Sequence, residues 1–314
     1  MSVGKILTAY ATLALVVVSP AVTASDDHSG QDFAPSASPD GREVVYYSYR
    51  GQSGDLSDLY IVDLATGIER QLTNTPGYFE IEPQWSQDGD KIYFAGGPSM
   101  KELDLFSIRP DGTGLIRLET GDGYGPPQIS SKGDVTLMWR DYEDGSADIL
   151  THNFGSNQST LLEIELGGKN QSPEWAGKTN EIIFSHRAID DEGKPSDTPL
   201  AEDGIYHLSL KSNEISKLSQ VPLAAYSLLW GPDGNIYFMA NPANTGMQIF
   251  RMPQTGGIAE QVTPDEFAPA YFPALSADGQ QLLFSGKAPS GRTRIFSMPL
   301  AGGTPTQIMR VTAE

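Results

Sequence analysis

The sequence predicts an all-β fold, a six-bladed β-propeller with four antiparallel strands per blade. Two observations predict it: a seven-residue segment that recurs at near-constant spacing, and the same train of three short β runs after every copy. The segment reads Pro, any residue, a large apolar residue, Ser, any residue, Asp-Gly, clearest at Pro83-Gln84-Trp85-Ser86-Gln87-Asp88-Gly89. Copies start at 35, 83, 127, 173, 228 and 273, so the spacings are 48, 44, 46, 55 and 45 residues.

The second run of each unit ends in an aromatic, as in Ile92-Tyr93-Phe94, Ile182-Ile183-Phe184 and Leu282-Leu283-Phe284. The third is Leu59-Tyr60-Ile61-Val62 and its counterparts, and the fourth closes on pairs such as Leu72-Thr73 and Val262-Thr263. Such runs, rich in β-branched and aromatic residues and bounded by turn residues, read as strands. Asp-Gly after strand one suits a hairpin because Gly accepts positive φ. Isolated four-stranded units would leave apolar faces uncovered, which favours closure into a ring. The first inner strand begins near Phe33 and the last outer strand ends near Ile308, so the first and last blades are expected to meet without strand exchange.

Residues 1–24 read as a signal peptide: Lys5, an apolar run from Ile6 to Val18, Pro20, and Val22-Thr23-Ala24 before a cut at Ser25. Residues 25–32 are expected to form a flexible tail, and 33–314 the propeller. The apolar run is short for a membrane span, so the cleaved chain is expected not to span a membrane. A periplasmic location follows, with secretion beyond it as the alternative. Cysteine is absent, which excludes lipid attachment at a Cys and a disulfide scaffold. Lys plus Arg number 21 against 40 Asp plus Glu, a net charge of −19. Such a field repels phosphate backbones, so nucleic acid is excluded as a partner.

The Pro-x-Trp-Ser-x-Asp-Gly segment, with Ile-x-Phe, Leu-Tyr and Leu-Thr in train, resembles the repeat of TolB-like propellers. Related repeats form the propellers of prolyl-oligopeptidase-type peptidases and oligogalacturonate lyases. The resemblance spans essentially the whole expected mature chain and implies the fold more strongly than any activity. It implies a propeller without the TolB N-terminal domain, because the repeats begin about ten residues after the expected cut. The peptidase chemistry is not expected either, since no Gly-x-Ser-x-Gly occurs.

Candidate chemistry is scattered. The histidines are His28, His152, His186 and His207, and none stands in a metal-binding motif. His152 and His207 are expected to point to opposite faces of their blades, and no cofactor is expected. The acidic loops Asp141-Tyr142-Glu143-Asp144 and Asp190-Asp191-Glu192 lack EF-hand spacing and read as solvated loops, with Ca²⁺ bound by their oxygens as the alternative. Glu82 stands directly before Pro83, where the other repeats carry Ala34, Pro126, Ser172, Ser227 and Phe272. A lone carboxylate facing a central channel can bind a cation or act as a base.

A fuller constellation lies in the connections between blades, which bring Tyr78, Tyr124, Tyr226 and Tyr271 to one end of the ring. Loops between second and third strands add Tyr49-Arg50, Arg140, and His186-Arg187 to the same end. Tyr and Arg around a concave mouth can stack on a sugar or grip a peptide; the alternative is that they pack between blades. The 55-residue spacing places an acidic insertion at 189–203, expected to be a mobile, tolerated surface insertion, with a lid or docking arm as the alternative. The expected function is a monomeric binding or scaffold propeller for an envelope protein, peptide or glycan. The alternative is a propeller enzyme of the polysaccharide lyase or Ca²⁺-dependent lactonase type.

Overall fold

The computed structural model describes residues 30–50, 56–100, 102–119, 127–177, 180–196, 198–241 and 246–312. The expected signal peptide and most of the tail lie outside them, as does Tyr124. Strands follow one another in antiparallel meanders of four. The first is β1 (Asp32–Ala37), β2 (Glu43–Ser48), β3 (Asp58–Asp63) and β4 (Ile68–Gln71). The second is β5 (Phe79–Trp85), β6 (Ile92–Gly97), β7 (Asp104–Ile108) and β8 (Ile116–Glu119). Then come β9 (Gln128–Ile129), β10 (Val135–Asp141), β11 (Ala147–Asn153) and β12 (Gln158–Leu161), and β13 (Lys169–Trp175), β14 (Glu181–Arg187), β15 (Gly204–Ser209) and β16 (Ile215–Lys217). The last meanders are β17 (Tyr226–Trp230), β18 (Asn235–Ala240), β19 (Gln248–Pro253) and β20 (Glu260–Gln261), and β21 (Tyr271–Leu275), β22 (Gln281–Lys287), β23 (Thr293–Pro299) and β24 (Thr306–Gln307). A final strand, β25 (Val311–Thr312), ends the described chain.

The fold is an all-β propeller with four strands in each repeating unit, as the repeat predicts. The expectation of six separate blade sheets is corrected, because the hydrogen-bonded sheets have five, eight, four, four and four strands. The eight-stranded sheet arises where β11 and β13 run parallel and pair at Ala147 and Lys169, fusing two meanders. The expectation of closure without strand exchange is corrected as well. β25 crosses the seam and adds to the outer edge of β4 in parallel, Val311 opposite Ile68.

Local chemistry explains the repeat. Ser86 Oγ donates to Asp88 Oδ1 (2.7 Å) and accepts the Lys91 N–H (2.9 Å), while Gly89 takes φ +76°. The Ser86 hydroxyl, first of several donors, holds the Asp88 carboxyl below its usual range. Ser38 with Asp40 and Ser276 with Asp278 repeat the turn. The Thr of Leu-Thr fastens strand four to strand three: Thr73 Oγ1 accepts the Leu59 N–H (2.9 Å) and Thr263 Oγ1 the Ile249 N–H (3.0 Å).

The core lies between neighbouring meanders. Tyr93 and Leu105 pack on Met138 and Leu150, and Ile183 and Ile205 on Ile236 and Phe238. The sequence of interfaces returns on itself, since Val44, Tyr46 and Val62 bury against Leu283 and Ile295. Inner-strand hydrogen bonds stitch the same joints, from the Trp85 N–H to Ser36 Oγ (3.1 Å) round to the Ala34 N–H on Ser285 Oγ (3.1 Å). Among the described residues no helix is long and apolar enough to cross a membrane.

Candidate functional site: the channel and its mouth

Five inner strands depart from regular alternation at one place, and that place lines the channel. Register shifts interrupt β1, β5, β13, β17 and β21, and φ is left-handed at Ala34 (51°), Glu82 (47°), Ser172 (50°), Ser227 (46°) and Phe272 (54°). Bulges of this kind re-aim a side chain, and non-glycine residues hold such φ only where the surroundings enforce it. At four of the five positions the following Pro fixes the next φ and gives up an N–H, Leu228 standing in its place after Ser227. Two residues further along each strand stand Ser36, Gln84, Glu174, Leu229 and Ala274, which line the channel with their predecessors.

The channel cavity holds about 350 Å³. Its wall is oxygen-rich from Glu82 and Gln84 to Glu174, and apolar where Leu229, Phe272 and Ala274 face it. Glu82 and Glu174 are both half-buried. Burial raises each carboxyl to about 8, opposed at Glu174 by the Trp175 backbone and at Glu82 by nothing. Such a shift means that the neutral acid predominates at neutral pH.

Above the channel a second cavity of about 290 Å³ is lined by Glu82, Trp139, Tyr226, Phe272, Met239 and Met247, among others. Beside Glu82 lies a cluster of rings. Phe33 stacks on Tyr47 (5.4 Å between centroids) and meets Tyr271 (5.9 Å) and Phe272 (6.2 Å) edge-on, and Tyr49 packs on Tyr47 (5.8 Å). These are the separations of attractive aromatic pairs. Burial first, and Glu82 second, push the Tyr47 and Tyr49 phenols above their usual range.

The predicted rim thus divides. Glu82 and Tyr226 line the second cavity, whereas Tyr271 lines neither cavity and packs on Phe33 (5.9 Å) and Phe272 (6.1 Å). Tyr78 is half-buried and packs edge-on to Phe106 (6.4 Å), which is the inter-strand packing role. Arg140 sits on β10 opposite Asp148 and lines neither cavity. Arg187 is buried: Nε donates to Asp203 (2.9 Å), Nη2 to the Ser196 carbonyl (2.6 Å) and Nη1 to the Tyr226 hydroxyl (3.2 Å). His186 is buried beside it with Nδ1 on Asn170 Oδ1 (2.9 Å), and burial lowers its pKa. Neither is an open rim group.

The insertion at 189–203 is anchored rather than a free arm, with Asp203 Oδ1 accepting the Ala188 N–H (2.7 Å). Its turn sits against the β10–β11 turn with two glycines face to face. A Cβ on Gly193 would lie 1.9 Å from the Asp144 carbonyl, and one on Gly145 as close to the Gly193 carbonyl. His152 lies buried on β11 against Ser159 (3.1 Å), and His207 on β15 against Glu181 (3.1 Å). Among the described residues no group of three or more His, Asp or Glu is placed to hold a metal ion.

Arg50, expected at the rim, belongs elsewhere. With Arg294 and Arg310 it surrounds the fully buried Asp32, at 2.9, 3.4 and 3.0 Å. Arg50 and Arg310 also grip Glu69, whose other partner is the Tyr46 hydroxyl. This network locks the seam where the first and last meanders meet. Phe33, Trp139, Glu174 and Phe272 are site residues that the tyrosine pattern misses; Glu174 occupies the free position of its own Pro-x-Trp segment.

A closed ring of four-stranded units around a lined channel defines a β-propeller. The chain belongs to the TolB β-propeller family, whose domain model matches residues 15–194. It is 29% identical over 162 residues to the uncharacterized protein Atu1656 of Agrobacterium fabrum, covering 47% of this chain and 52% of that one. It is 26% identical over 190 residues to the Tol-Pal system protein TolB of Francisella tularensis, covering 60% and 42%. The chain thus spans about half or less of the length of these curated relatives. Among solved structures, TolB from Acinetobacter baumannii superposes with a TM-score of 0.58 at 17% identity, covering 89% of this chain and 66% of that one. An oligogalacturonate lyase in complex with manganese gives 0.57 at 14%, covering 90% and 78%. At these identities the likeness is one of fold.

Proposed function

We propose that this chain is an exported envelope propeller that binds a protein, peptide or glycan at the channel mouth. Export is supported by the apolar run 6–18 and the small residues before Ser25, and an envelope setting by relatives named for the Tol-Pal system. The observation that carries the binding reading is that Trp139, Tyr226 and Phe272 line one concave opening with Glu82, while Tyr271 supports the Phe272 ring at 6.1 Å. Aromatic groups around a pocket with few polar groups are the composition of a recognition site. Affinity capture from envelope extract tests it. Tyr226→Ala combined with Tyr271→Ala should lose the partner that the wild-type chain retains; an unchanged set of bound molecules would remove the mouth from the reading.

A second reading rests on Glu82 alone. A carboxyl raised to about 8 inside a cleft is a candidate general acid or base. Turnover of a lactone or an acidic glycan that disappears in Glu82→Gln would favour it.

A further inference from the structure

The mouth cavity combines three kinds of aromatic wall with one carboxylate. Trp139, Tyr226 and Phe272 line it with Met239 and Met247, and Glu82 is its single acidic group. Among the described residues no Lys, Arg or His lines either cavity. Among the described residues Glu82 has no hydrogen-bond or ion-pair partner, unlike Asp32, Glu69 and Asp203, which are held by arginines. We propose that the channel mouth is a cage for an organic ammonium, with Glu82 supplying the charge, Trp139, Tyr226 and Phe272 the walls, and an alkylammonium group the ligand. This rests on the binding reading above and names its ligand chemistry.

The wall decides the class of cation. A hard divalent ion needs six or more oxygens. This cavity sets rings and thioethers around one carboxylate, with only the neutral Gln171, Ser172 and Ser227 as further polar lining residues among those described. A weakly hydrated ammonium on an alkyl stem gains from aromatic faces, which attract it through their quadrupoles. The stem suits the methionines. The nearby cation, Arg187, holds the Tyr226 hydroxyl and is neutralised by Asp203, so it fixes the ring without opposing the ligand's charge. An ammonium also supplies what the Glu82 carboxyl lacks, a counter-ion that makes its ionised form favourable.

The ammonium can come from a free alkylamine or from a lysine side chain of a partner. Titration calorimetry of the mature chain with n-butylammonium chloride, n-butanol, acetyl-Gly-Lys-Gly amide and its Nε-acetylated form separates the cases. The cage requires that n-butylammonium bind and n-butanol not. A lysine source adds binding of the unmodified peptide alone; a free amine source leaves both peptides inert. Glu82→Gln should weaken n-butylammonium binding about tenfold or more, since a charge-assisted contact is lost, with an unchanged circular dichroism spectrum. If that variant fails to fold, Trp139→Leu takes its place. Equal binding of n-butanol, or undiminished binding by a folded Glu82→Gln chain, overturns the cage. A chain that ignores n-butylammonium yet loses its captured partner on Tyr226→Ala with Tyr271→Ala overturns the cage alone. One that binds n-butylammonium while capture is unaltered by those changes keeps the cage and overturns the partner reading.

Discussion

The seam and the channel both bury carboxylates, and they solve the problem in opposite ways. At the seam Asp32 and Glu69 face Arg50, Arg294 and Arg310, so two negative charges meet three positive ones. In the channel Glu82 and Glu174 meet no basic side chain, and burial lifts both to about 8. Buried charge is tolerated only when paired or neutralised, and the molecule uses one device to close its ring and the other to leave its lumen available. Asp32 is structural for the reason that Glu82 is a candidate site: one has every partner it needs, and among the described residues the other has none.

The sharpest test of this contrast is Asp32→Ala. It removes one of the two buried carboxylates that Arg50, Arg294 and Arg310 face, leaving Glu69 against the excess positive charge. Breaking a buried pair costs about 3–5 kcal/mol, so chemical unfolding should show a loss of that size. A variant as stable as the wild type would show that the seam charges are not coupled to folding. Next in size is a pH effect of opposite origin. Glu82 and Glu174 have folded values of about 8 against an ordinary 4.5, so the folded state holds their protons more tightly. Their contribution to stability is full below pH 4.5 and is lost as pH rises through about 8. The melting temperature should therefore fall from pH 5 to pH 9. Glu82→Gln with Glu174→Gln should flatten part of that slope and gain about 2–4 kcal/mol over wild type at pH 9. The residual slope belongs to Glu69 and Glu80, both raised by burial to about 7. Identical slopes would contradict neutral channel carboxyls.

Two smaller effects calibrate the comparison. Thr263→Val removes the hydroxyl that accepts the Ile249 N–H and donates to Gln248 (2.7 Å), and should cost about 1–2 kcal/mol in a melt. Arg70→Ala cuts an exposed pair with Glu43 (3.1 Å) and should change stability by less than about 0.5 kcal/mol. An effect there as large as that of Asp32→Ala would dissolve the distinction between seam and surface.

What was legible in the sequence was whatever a few neighbouring residues complete among themselves. Ser86, Asp88 and Gly89 form their turn within six residues, so the repeat announces it, and the strand train follows. Glu82 and Tyr271 were found because aligned repeats place them at inner-strand starts. The seam was hidden because Asp32 and Arg294 are 262 positions apart and share no motif. Arg187 reads as a rim residue until the insertion folds back to bring Asp203 against it. The fused sheet depends on a single pairing of Ala147 with Lys169, and β25 on a pairing across the whole chain; neither carries a periodic signal.

The inner-strand bulges have a consequence for how such a ring changes over time. Alanine, glutamate, serine and phenylalanine occupy the same left-handed position in different units, so the kink belongs to the backbone and the side chain there is an interchangeable fitting. Swapping one fitting leaves the kink in place but alters both what the bore can hold and, where the fitting bridges units as Phe272 does to Phe33 and Ser172 to the Ser227 N–H, the joint beside it.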